Sequence, residues 1–196
     1  MNAELLNQAM NLFDTYDKFS AFIELSNARG EIRNRYFGRL KAEIFSYSLN
    51  SPWSVLSDNF EQYRWYLTEF KQESICLVWC SWHFRLWCNQ TICDAIKAKE
   101  LLASPKFEPI KECFDYIDSM SHPNVHHFFE EKHRYEFLDG LSYSAPDAEN
   151  LERLSWFAGN KTKEMGSLIM KKVNKFRSPE ITELLVELNH ECLLKK

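Results

Sequence analysis

Gln62-Tyr63-Arg64-Trp65-Tyr66-Leu67, Ile75-Cys76-Leu77-Val78-Trp79-Cys80 and Trp82-His83-Phe84-Arg85-Leu86-Trp87-Cys88 decide the fold. Within 61–88 the apolar period is 2 rather than 3.6, and the residues are aromatic and β-branched rather than helix-forming, which predicts a sheet. Tyr63, Trp65 and Leu67 share one face of the first run, with Arg64, Tyr66, Thr68 and Phe70 on the other. Ile75 to Cys80 is apolar throughout, as a central strand covered on both faces would be. In the third run Trp82, Phe84, Leu86 and Cys88 point one way and His83, Arg85 and Trp87 the other, the pattern of a half-buried antiparallel strand.

Helical periodicity lies on both sides of this sheet. Leu6, Ala9, Met10 and Phe13, then Phe19, Phe22 and Ile23, predict two amphipathic helices over 3–28, broken near Thr15. With Gly30 as a boundary, Ile32, Tyr36, Leu40, Ile44 and Tyr47 predict a third helix, which Asn50-Ser51-Pro52 ends; Arg33 lies close to its apolar stripe. Thr91-Ile92-Cys93-Asp94 resembles a capping box opening a helix to about residue 103, and Pro109 opens another through Ile117. Asp139-Gly140 suits a type I′ turn and predicts a hairpin over 133–144. Three further stripes close the chain: Leu151, Leu154 and Phe157; Met165, Leu168, Ile169, Val173 and Phe176; Ile181, Leu184, Leu185, Leu188 and Cys192. The expectation is one α+β domain over 1–196, an antiparallel sheet of about 62–88 and 133–144 packed by N- and C-terminal helices.

Composition narrows the function. The 196 residues include 15 Phe, 8 Tyr and 6 Trp, too many burying side chains for a disordered chain. Only five glycines occur, none at G-x-G spacing, so neither a dinucleotide fingerprint nor a phosphate loop can be written; Gly159-Asn160-Lys161-Thr162 lacks the upstream glycine of a Walker A ending. A net charge of −4 argues against a general polyanion binder. The charge is uneven all the same, with eleven acids against three bases in 108–152 and seven bases against one acid in 153–178. The six cysteines form no C-x-x-C pair, read as core thiols, and imply a reducing cytoplasm in which the sequons at Asn89 and Asn160 go unused. No apolar run is long enough to span a bilayer, so no membrane is expected.

Four constellations are candidates for chemistry. Asp58 with Glu69-Phe70-Lys71 resembles the acid and E-x-K metal-binding pattern of restriction-type nucleases, in which carboxylates hold a divalent ion and the lysine assists the attacking water. A solvated strand end would read the same way. His126, Glu130 and His133 would share a face if 122–133 were helical and would scatter if it were extended. Lys161, Lys171, Lys172 and Lys175 flank an apolar stripe over 161–177, as a phosphate-contacting helix or any solvated helix would. Arg64, Tyr66, His83, Arg85 and Trp87 share one sheet face, where interleaved guanidinium and aromatic planes offer large contact area with few rotors to freeze. The alternative there is a covered, half-buried face.

Nothing marks any Ser or Cys as an activated nucleophile. The expected function is therefore a non-catalytic cytoplasmic protein-interaction module of the inhibitor, immunity or adaptor type, using those five residues and needing no cofactor or metal. A metal-dependent nuclease built on Asp58, Glu69 and Lys71 is the alternative, and nucleic acid is a second possible partner through 161–177.

Overall fold

A computed structural model describes residues 3–47, 52–59, 62–80, 83–114, 120–122, 125–132 and 148–194. Its helices are α1 (Ala3–Leu12), α2 (Tyr16–Asn27), α3 (Arg29–Ser46), α4 (Ala95–Leu102), α5 (Glu108–Lys111), α6 (Ala148–Asn160), α7 (Thr162–Phe176) and α8 (Pro179–Cys192). Its strands are β1 (Trp53–Asn59), β2 (Gln62–Leu67), β3 (Cys76–Cys80), β4 (His83–Asn89), β5 (Met120–His122) and β6 (Val125–Lys132). All pairings are antiparallel and the described strands run in the order β1-β2-β3-β4-β6-β5. With helices from both ends of the chain packed on the sheet, the architecture is α+β.

The period-2 reading holds within the strands but not past β2: Phe70, expected on the face of Arg64 and Tyr66, follows the turn after Leu67 and enters the main core. Tyr63, Trp65 and Leu67 of β2 and Phe84, Leu86 and Cys88 of β4 enter the main core, while β3 lies between them, buried along nearly its whole length. Periodicity does not predict β1. Its serines, Asp58 and Asn59 are poor strand formers, and pairing with β2 overrides that local preference.

Segment 125–132 is a strand, so the helical arrangement of His126 and Glu130 does not form; His133 lies outside the described residues. Consecutive Phe128 and Phe129 both reach the main core, which strict alternation forbids. A register shift opposite Leu86 and Trp87 supplies the extra residue. The hairpin expected over 133–144 also lies outside the described residues.

α3 buries Phe37, Leu40 and Ile44 and packs against α6 and α7. The α3–α6 contact is close: a Cβ at Gly159 would fall 2.0 Å from Tyr36 Cδ1, and Arg39 Nη1 donates to the Gly159 carbonyl at 3.1 Å. Gly30 lies inside the first turn of α3 and marks no boundary; the break is at Ala28. Asp94, not Thr91, caps α4 by accepting from the Lys97 amide at 3.0 Å. The helix expected after Pro109 is a single turn ending at Lys111 among the described residues. α7 buries the expected Met165, Ile169, Val173 and Phe176 but leaves Leu168 exposed at the margin of the stripe, and α8, capped by Ser178, buries Ile181, Leu185, Leu188 and Cys192 with Leu184 half-buried beside them.

Two seams tie α8 and the residues after it to the entry of β3 and to the segment between β4 and α4. Asn189 is fully buried; its Oδ1 accepts from the Ile75 amide at 2.9 Å and its Nδ2 donates to the Ile75 carbonyl at 3.1 Å, as a neighbouring strand would. Beyond the helix, the Asp94 amide donates to the Cys192 carbonyl at 2.8 Å and the Leu194 amide to the Ile92 carbonyl at 2.9 Å.

At the other end, Thr15 caps α2, accepting from the Lys18 amide at 3.4 Å, so the break falls where expected. The expected burial does not follow. α2 has no buried residue: Tyr16 is 80% exposed, and Phe19, Phe22, Ile23 and Leu25 are between 41% and 61% exposed.

Candidate functional site

The sheet face turned away from the main core carries a second, smaller apolar cluster of Cys76, Val78 and Trp87, with Tyr66 and Cys80 packed against it. Strand register fixes its layout. One row runs Leu56, Arg64, Val78, Arg85, Glu130 across β1, β2, β3, β4 and β6. The next pairs Ser54 with Tyr66, and Cys76 with Trp87 and His127. A third holds Gln62, Cys80, His83 and Lys132. Arg64, Tyr66, Arg85 and Trp87 therefore lie on one face, and His83 occupies the matching register position at its end.

The central contact is a cation over a ring. The Arg64 guanidinium carbon lies 4.4 Å from the Trp87 ring centroid. β2 and β4 are two strand spacings apart, about 9.6 Å. The two side chains meet because Cys76 and Val78, on the strand between, are small. Trp87 is 6% exposed, whereas Arg64, Tyr66 and Arg85 are half-buried. The indole is a floor rather than a rim. The burial of Trp87 is set by its neighbours on the sheet, which alternation alone does not reveal.

The nuclease constellation is not brought together. Asn59 pairs with Gln62 and Trp53 with Leu67, so Asp58 lies at the turn end of the β1–β2 hairpin, while Glu69 and Lys71 follow β2 at its other end. The separation is about 20 Å at the rise of an extended chain. Glu69 and Lys71 are both exposed. Among the described residues, no three His, Cys, Asp or Glu side chains are placed to hold a metal ion.

The basic helix is partly committed to packing. Lys172 Nζ lies 5.4 Å from the Phe114 ring centroid, and Lys175 Nζ donates to the Glu112 carbonyl at 2.9 Å, while Lys161 and Lys171 are exposed.

The cysteines are thiols, all buried except half-buried Cys80. Cys88, Cys93 and Cys192 gather in the main core from three separate elements, a cluster without sequence spacing to announce it. A hydrogen bond to Cys93, added to by burial, raises the Cys88 pKa, and burial pushes Cys192 up to about 12. Cys88 and Cys192 are thus held as neutral thiols, while the hydrogen bond with Cys88 lowers the Cys93 pKa.

No helix among the described residues is long and apolar enough to cross a membrane. Comparison with protein-family models, curated proteins and solved structures brings no match to this chain.

Proposed function

We propose that the chain acts by binding another protein in the cytoplasm, in the manner of an inhibitor, immunity or adaptor protein, through Arg64, Tyr66, His83, Arg85 and Trp87. The Arg64–Trp87 stack carries this reading. Trp, Tyr and Arg dominate binding hot spots because they present large area with few rotors. Here the guanidinium is already ordered on the indole, which lowers the entropy a partner's arrival has to overcome. Half-buried Arg64, Tyr66 and Arg85 make the contact, and Trp87 holds them in place.

The test compares wild type with Tyr66→Ala and Arg85→Ala in capture from the native host, beside a thermal melt of each. A protein held by wild type and lost from both variants at little-changed melting temperature supports the reading. The same captured proteins with all three chains would overturn it.

A further inference from the structure

We propose that two copies of this chain pair β1 with β1 about a two-fold axis, joining their sheets edge to edge. β1 is the outermost strand on its side of the described sheet, and β5, at the opposite edge, is only three residues long. The ladder to β2 fixes which way the β1 backbone points. The Thr68 amide donates to the Pro52 carbonyl at 2.6 Å, and the pairing runs on from there as Trp53 with Leu67, Ser54 with Tyr66, Val55 with Trp65 and Leu56 with Arg64. In an antiparallel ladder hydrogen-bonded and non-hydrogen-bonded pairs alternate, so Ser54 and Leu56 bond to β2 while Trp53 and Val55 turn their N–H and C=O groups outward. No strand among the described residues meets them there. Trp53 is 5% exposed, so little water reaches its outward groups, and backbone groups without water or a partner are costly.

Sheets protect such an edge with charge, proline, a bulge or a cover. Trp53-Ser54-Val55-Leu56-Ser57 carries no charge and no proline, and the register shift falls after Leu56. Pro52 is in phase with Ser54 and Leu56, so its missing N–H gives up a bond to β2 and leaves the outer side open. What fits unpaired N–H and C=O groups is an extended strand, and the sequence suits its own copy. With the axis at Val55, that residue faces the second copy's Val55 and exchanges both backbone bonds with it, while Ser54 faces the second copy's Leu56, a small side chain against a large one. A two-fold contact brings residues near the axis against themselves, where like charges would repel. None lies there: Asp58, three residues from the axis, stands about 20 Å from the second copy's Asp58. Ser54 shares a row with Tyr66, so the second copy's Leu56 comes two strand spacings from Tyr66, as Trp87 is from Arg64. Pairing therefore carries the face of Arg64 and Tyr66 through the axis onto the second copy.

Sedimentation of the full chain tests this, with a thermal melt of each variant. Wild type at about 100 µM should sediment as twice the 23.3 kDa chain and no larger, because a two-fold contact closes. Val55→Pro removes an outward N–H and no bond to β2, so it should be monomeric at little-changed melting temperature. Two further variants keep the test open should the proline unfold the strand: Ser54→Lys with Leu56→Lys, and Ser54→Glu with Leu56→Glu. Each alone sets like charges opposite one another across the axis and should be monomeric. Their equimolar mixture sets Lys against Glu and should regain the dimer. A wild type that is monomeric or forms larger assemblies at that concentration, a folded Val55→Pro or a charged variant that dimerises as wild type does, or a mixture that stays monomeric overturns the proposal.

Discussion

The guanidinium of Arg64 lies 4.4 Å from the centre of the Trp87 ring, so a contact between second-neighbour strands is made on the sheet face turned away from the main core. Trp87→Ala should cost about 3–5 kcal/mol of stability, as expected for a buried Trp. Arg64→Met keeps the stem and removes the charge; its coupling to Trp87→Leu in a double-mutant cycle should be about 0.5–2 kcal/mol. Denaturant melts measure both. Additive losses would show that the stack contributes no coupling.

Asn189 holds the entry to β3 by serving both polar groups of Ile75, the residue before the strand. Asn189→Leu is close in volume but leaves a buried amide and a buried carbonyl unpaired, each worth about 1–3 kcal/mol. The expected loss, measured by denaturant unfolding, is therefore about 2–5 kcal/mol. A loss below about 1 kcal/mol would mean that other groups serve Ile75 equally well.

Gly159 matters for closeness rather than for conformation. In a helix, Ala is normally better than Gly by about 1 kcal/mol. Here the new methyl would meet the root of the Tyr36 ring, Cγ included, at 2.4 Å, so α3 and α6 must separate. Gly159→Ala should lower stability by about 1–3 kcal/mol, and Tyr36→Ala in the same chain should relieve most of the methyl's share. Thermal melts of the two singles and the double decide it; equal cost of the methyl with and without the ring removes the close-packing account.

Cys192 gives the fold a defined alkaline limit. Its thiol pKa, 9.0 in the unfolded chain, is pushed by burial to about 12 in the folded one. The folded state holds this proton more tightly, so the stabilisation is complete below pH 9 and is lost as pH rises from 9 toward 12. Each such thiol contributes a slope of up to about 1.4 kcal/mol per pH unit in that window. Melts across the range should show Cys192→Ala with a shallower fall than wild type. Parallel curves would mean that the thiol does not report on unfolding.

Legibility of the fold and site tracked how local the governing physics is. Alternation of Tyr63, Trp65, Leu67 and of Phe84, Leu86, Cys88 is a property of neighbours in sequence, and it announced β2, β4 and the face shared by Arg64, Tyr66, Arg85 and Trp87. β1 was unreadable because Ser54, Ser57, Asp58 and Asn59 are strand-forming only once β2 pairs with them. β6 hid because the register shift that sends both Phe128 and Phe129 inward breaks the alternation. Asp58 seemed close to Glu69 and Lys71 by number, but antiparallel register sends it to the opposite end of the hairpin. The α2 stripe was readable as a stripe. That it stays exposed is a tertiary fact that no period encodes.

The Asn189 seam also sets a clock. Ile75 and its amide partner are 114 positions apart, so at a synthesis rate of 5–20 residues per second roughly ten seconds separate their emergence from the ribosome. Over that interval β3 can find β2 and β4 but not the group that serves Ile75, the residue leading into it. Nascent chains of increasing length should therefore gain protease resistance late and abruptly, once α8 is available, rather than in step with the strands.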